Sequence, residues 1–75
     1  MLSLEVKLSS VDDIRDFVDR CCELDCEIDL AAGRYIVDAK SLLGVFSVDL
    51  TRNLELSVYS DDKDHVCSVL RPYLV

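Results

Sequence analysis

Apolar and polar residues change rhythm several times along this chain, and each rhythm predicts an element. Leu2, Leu4, Val6 and Leu8 alternate with Ser3, Glu5 and Lys7, the period of a strand with one buried face. From Val11 the spacing lengthens: Val11, Ile14, Phe17, Val18, Cys21 and Cys22 recur at helical intervals behind Ser10, a favourable N-cap, with Asp12 and Asp13 in a dipole-compatible first turn. Asp12, Asp13, Asp16, Asp19 and Arg20 form the solvated side. Cys26, Ile28 and Leu30 then alternate with Glu27 and Asp29, Ala31-Ala32-Gly33-Arg34 reads as a turn, and Tyr35-Ile36-Val37-Asp38 completes a hairpin. Gly33 is the residue suited to positive φ in that turn. After a short helix behind Ser41 and a polar turn at Thr51-Arg52-Asn53, Leu54, Leu56 and Val58 alternate with Glu55, Ser57 and Tyr59 as a last strand. Asp61 or Asp62 caps a closing helix carrying Val66, Val69, Leu70 and Tyr73, and Pro72 ends or bends it.

The order is therefore βαββαβα, four amphipathic strands and three striped helices, which pack as two layers with helices on one face of the sheet and water on the other. Periodicity does not choose the strand arrangement, because ferredoxin-like folds share this order up to the fourth strand. Seventy-five residues make one domain, residues 1–75, near the size at which a single core only just offsets chain entropy.

The segment from Asp38 to Leu50 has an excess of apolar side chains. Leu42, Leu43, Val45 and Phe46 crowd about one and a half turns behind the Ser41 cap, and so short a helix cannot turn all of them to one core face. An apolar patch left at the surface beside a serine whose charge can change has the makings of a switchable docking surface. A capped helix with a surplus of leucine is the plainer reading of the same residues.

The same segment resembles the second helix of HPr, the histidine-containing phosphocarrier of the bacterial sugar phosphotransferase system, in which a Lys-Ser pair precedes a hydrophobic run and a glycine; here these are Lys40, Ser41, Leu42, Leu43 and Gly44. Aligned without gaps from Ser41, Phe17-Val18 falls on a similar pair in the family's first helix, and the order of elements agrees from residue 2 to about residue 71. The resemblance implies an α+β, HPr-like open-faced β-sandwich whose antiparallel sheet runs 1-4-2-3. It also implies a phosphoryl-accepting histidine at the start of the first helix, assisted by an arginine two residues on. Here Ser10 stands at the histidine position, Asp12 at the arginine position and Asp13 at that of the usual proline. Carboxylates there would repel a phosphoryl group by about 1 kcal/mol each at a solvated site. Histidine phosphotransfer is therefore expected to be lost, and a phosphate on Ser9 or Ser10 would be a regulatory mark, not a carried group. Ser41 matches the serine that a dedicated kinase phosphorylates in many HPr proteins of Gram-positive bacteria. It is the candidate phosphorylation site, with Lys40, Leu42, Leu43, Val45 and Phe46 as candidate docking residues on a Ser41–Val48 surface for a protein partner.

Charge and cysteine usage narrow the classes further. Fifteen acidic against eight basic residues give a net charge of −7, which disfavours nucleic acid and anionic lipid as partners. With 51% hydrophobic residues the chain has apolar surface enough to fold. No stretch reaches the length of a bilayer span, the first residues alternate instead of forming a signal-peptide core, and a cytoplasmic location is expected. Cys21, Cys22, Cys26 and Cys67 read as buried, reduced thiols. Cys22 and Cys26 lack the paired spacing of a metal site and the one histidine, His65, is remote and flanked by aspartates, so neither metal nor other cofactor is expected. No nucleophile elbow, glycine-rich phosphate loop or apolar carboxylate pair supports an enzyme, and no small-molecule substrate is inferred. The expected function is a non-enzymatic interaction module. The alternatives are a phosphocarrier with an unconventional acceptor such as His65, and a structural subunit of a larger assembly.

Overall fold

A computed structural model describes all residues, Met1–Val75. Strand β1 (Leu2–Val6) leads to helix α1 (Val11–Cys22), the hairpin of β2 (Ile28–Ala32) and β3 (Tyr35–Asp38), the five-residue helix α2 (Leu42–Phe46), strand β4 (Leu54–Val58) and helix α3 (Lys63–Leu70), which tightens into a 3-10 turn at Arg71–Tyr73. The four strands form one antiparallel sheet in the order β1-β4-β2-β3. That is the arrangement the resemblance implied and periodicity alone left open.

Alternation sets the register. Leu4 faces Leu56 across β1 and β4, and Leu56 faces Leu30 across β4 and β2, so one row of leucines crosses the sheet under the helices. In a side-chain period of two, a slip of one residue would turn that row to water, and this pins the pairing. Ile14, Phe17, Val18 and Cys21 of α1, Val45 of α2 and Val66, Leu70 and Tyr73 of the C-terminal segment close over it. Each fully buried leucine, isoleucine or phenylalanine contributes about 1.5–3 kcal/mol relative to exposure. Phe17 meets Tyr73 edge to face, ring centroids 5.9 Å apart. The Tyr73 hydroxyl donates to Asp16, which also accepts from Arg20 Nε at 2.8 Å, while Arg20 reaches on to the Val69 carbonyl at 2.9 Å. The C-terminal segment is thus tied to the outside of α1 as well as packed beneath it.

The two sheet edges are treated differently. The free edge of β1 is sealed by the chain's last residues: Lys7 N–H donates to the Tyr73 carbonyl, Val75 N–H donates to the Glu5 carbonyl, and Leu74 bridges to Val6. The outer edge of β3 has no strand beside it and carries exposed Tyr35 and Ile36.

Several sequence expectations need correcting. Ala31 and Ala32 belong to β2, so the hairpin turn is only Gly33-Arg34, with Gly33 at φ 62° supplying the left-handed conformation. Cys26 does not open a strand, since β2 begins at Ile28, and Leu8 lies beyond the end of β1 although it is buried. Of the thiols only Cys21 is buried, its pKa pushed up to about 12 by that burial; Cys22 is exposed, and Cys26 and Cys67 are half-buried. Val11 is exposed too. It stands at the first helical position, immediately after the Ser10 cap.

Candidate functional site

α1 and α2 lie side by side in opposite directions: Phe46 at the end of α2 shares a hollow with Ser10 and Val11 at the start of α1, whereas Cys22 Sγ at the end of α1 lies 3.8 Å from the Lys40 carbonyl oxygen just before α2. At α1, Asp13 N–H donates to Ser10 Oγ at 3.1 Å while Ser9 N–H donates to Asp13 Oδ2 at 3.0 Å. This reciprocal pair satisfies two orphan amides with the chain's own side chains. Both hydroxyl and carboxylate are occupied in holding the helix start closed, and Asp12 beside them is exposed.

At α2, Gly44 N–H donates to Ser41 Oγ at 3.2 Å, and a Cβ at position 44 would stand 3.4 Å from Ser41 Cβ and Oγ and from Val37 Cβ, at the near edge of ordinary van der Waals contact. Of the four apolar residues in the helix, Val45 faces inward and is 0% exposed, so it supports the surface from beneath and cannot be one of its docking residues, as the sequence reading had it. Leu43 is 83% exposed, and Leu42 and Phe46 are partly so, one turn apart on the side next to α1. Phe46 and Leu50 line a shallow hollow of about 510 Å³ with Lys7, Ser10, Val11 and Ile14. Leu42 lines a smaller one with Arg15, Val18 and Asp19. The expectation that a short helix leaves leucine at the surface is met by Leu42 and Leu43.

Lys40 is drawn away from this surface. Its ammonium donates to the Leu24 carbonyl at 2.6 Å and its amide to Asp38 Oδ1 at 2.9 Å, so it braces the loop after α1 and not the apolar patch. Sequence reading missed Val11, Arg15 and Leu50 as members of the surface. For Val11 the available signal was its place immediately after the cap, where a helix has not yet reached the core.

His65 is exposed in the first turn of α3, whose N-cap Asp62 accepts from the His65 amide. Arg20 near the end of α1 touches Val69, and Asp16 one turn earlier touches Tyr73, so α3 and its extension run antiparallel to α1. That direction puts His65 toward the C-terminal end of α1, away from Ser10. No group of three or more His, Cys, Asp or Glu side chains is arranged to hold a metal ion, and no helix is long and apolar enough to cross a membrane.

No protein-family model matches the sequence, and no curated protein matches it. Among solved structures it is similar to HPr-C-His from Thermoanaerobacter tengcongensis, with a TM-score of 0.78 and 20% identity over 96% of this chain and 89% of that one. The chain has the HPr fold. Along the contact between the two helices, α2 contributes Leu42 and Phe46, and the α1 entrance carries Ser10, Asp12 and Asp13.

Proposed function

We propose that this chain is an HPr-fold protein-docking module that has given up phosphoryl carriage, and that it binds a protein partner through Leu42, Leu43, Phe46 and Val11. The observation that carries this reading is the exposed apolar surface at α2, set beside a helix start closed by Ser10 and Asp13 and bordered by Asp12. A phosphoryl group brought to α1 meets two carboxylates and no free cation of its own turn, whereas the neighbouring apolar side chains Leu42, Leu43 and Phe46 stay exposed.

Ser41 is the proposed regulatory position. Its hydroxyl is half-buried and already engaged with Gly44, and no carboxylate lies in the first turn of α2. Phosphorylation there adds up to two negative charges at the margin of the patch and changes which partners it admits. The setting is the cytoplasm, where such a kinase and a reduced thiol set would both be found.

The test is phosphoryl transfer. Incubated with phosphoenolpyruvate and the general enzyme of the phosphotransferase system, the protein is expected to take up no label, and base-stable, acid-labile phosphate on any residue would falsify the docking-only reading. Incubation with ATP and an extract of the source cells is expected to label Ser41, mapped by mass spectrometry, with Ser41→Ala unlabelled. Label on other serines alone would remove the regulatory half of the proposal.

A further inference from the structure

A second surface, formed where the β2–β3 turn meets the loop between α2 and β4, has different chemistry. Ala32, Gly33, Arg34 and Tyr35 form one wall of a hollow of about 430 Å³ and Ser47, Val48, Asp49, Arg52 and Asn53 form the other. It is the one hollow on the molecule with two guanidinium groups. The hollow at Asp25–Asp29 has Lys40 against several carboxylates, and the one between β1 and β4 has Glu5 and Glu55 with no cation. On a chain of net charge −7, a pair of arginines on one depression is a local reversal of sign.

Neither arginine is used by the fold. The sole ion pair in the protein joins Arg20 to Asp16, and no hydrogen bond holds the side chain of Arg34 or Arg52. Asp49, the one carboxylate on the hollow, is turned to its own loop: Oδ1 accepts from the Thr51 amide at 2.9 Å and the Thr51 hydroxyl at 2.6 Å, and these bonds keep its carboxyl below the ordinary range. Tyr35 stands beside the arginines with 74% of its surface exposed and no partner for its ring or hydroxyl. The left-handed Gly33 makes the two-residue turn that sets Arg34 and Tyr35 at this wall.

The geometry points to a binding site for a nucleoside monophosphate, its phosphate held by Arg34 and Arg52 and its planar base stacked on Tyr35. Two guanidiniums against the one Asp49 carboxylate leave the hollow net positive, and each guanidinium presents the fork that fits phosphate oxygens. A bare tyrosine face stacks any base. Charges on the far side of the protein are screened beyond about 8 Å at physiological ionic strength, so the arginine pair governs the local field. The site does not depend on the docking reading, since it lies at the opposite end of α2 from Ser41.

Amide chemical shifts of the full chain titrated with AMP test it. Shifts confined to residues 32–35 and 47–53 are expected, with affinity lowered about tenfold in Arg34→Gln/Arg52→Gln and by a similar factor in Tyr35→Ala. Inorganic phosphate is expected to bind more weakly than AMP and to be indifferent to Tyr35→Ala. Unchanged spectra outside the hollow show that each variant is folded. Absence of shifts with AMP, shifts elsewhere, equal affinity for AMP and inorganic phosphate, or AMP affinity unaltered in the double arginine variant each overturn the proposal.

Discussion

Ser10 and Ser41 cap their helices with the same bond, an amide three residues on donating to the serine Oγ at 3.1 and 3.2 Å, yet the two helices they start are built for different ends. Behind Ser10 stand Asp12 and Asp13, twelve helical residues and four buried side chains, Ile14, Phe17, Val18 and Cys21. Behind Ser41 stand no carboxylate, five helical residues and a single buried side chain, Val45. α1 is a structural beam whose entrance carries two carboxylates. α2 is a small apolar platform held down at one point, and its side chains are spent on solvent. Cap chemistry alone therefore says where a helix begins and nothing about whether that beginning is available to a ligand or partner; the next three residues decide.

The widest test of this contrast is to remove each helix's principal anchor. Phe17→Ala, which empties the space against Tyr73, is expected to lose about 4 kcal/mol in urea unfolding, and Val45→Ala about 2 kcal/mol. If Val45→Ala cost as much as Phe17→Ala, α2 would be as deeply founded as α1 and the contrast would fail.

A second test uses the tie that α1 has and α2 lacks. Asp16 accepts from Tyr73 and then from Arg20, and both hold its carboxyl below its ordinary value, so its stabilising contribution is complete above the unfolded carboxylate pKa of about 4 and fades as the pH falls below that. Burial, and then the bond to Asp16, push the Tyr73 phenol up to about 12, so its contribution is complete below pH 10 and fades as the pH rises from there toward 12. In Tyr73→Phe the alkaline loss of stability is expected to flatten and the acid loss to shrink, read as denaturation midpoints across pH. Unaltered profiles would show that the tie is not formed in solution.

The smallest effects separate the two caps. Ser10→Ala and Ser41→Ala are each expected to cost about 1 kcal/mol, whereas Ser41→Asp, which keeps a good cap, is expected to stay within about 0.5 kcal/mol of the parent while altering partner binding. A large loss in Ser41→Asp would mean that added charge at α2 acts on folding and not on docking.

The elements were legible in the sequence because burial here follows period closely. Every residue predicted to face the core from β1 and β4, from Leu2 to Val58, is buried or packed against the core. What was not legible was exposure at the ends of an element. Val11 and Cys22 keep the helical spacing of the core residues but stand at the two ends of α1, and spacing carries no information on which turns of a helix the core covers. The same limit misplaced Val45. Four apolar neighbours in one and a half turns say that some are outside, and only the packing of α2 on β3 says which. Lys40 next to Ser41 reads as part of the motif, whereas its reach to the Leu24 carbonyl depends on a loop sixteen residues earlier. The arginine pair was missed because Arg34 and Arg52 are brought together by strand order and lie eighteen positions apart.

The seal on β1 has a consequence for how the molecule is made. Its two neighbours in the sheet are residues 54–58 on one side and 73–75 on the other, so of the four strands the earliest in sequence is the last to find company during synthesis. Until those residues emerge it waits with Leu2, Leu4 and Val6 unsheltered and both flanks bare, a condition in which nascent chains need a chaperone.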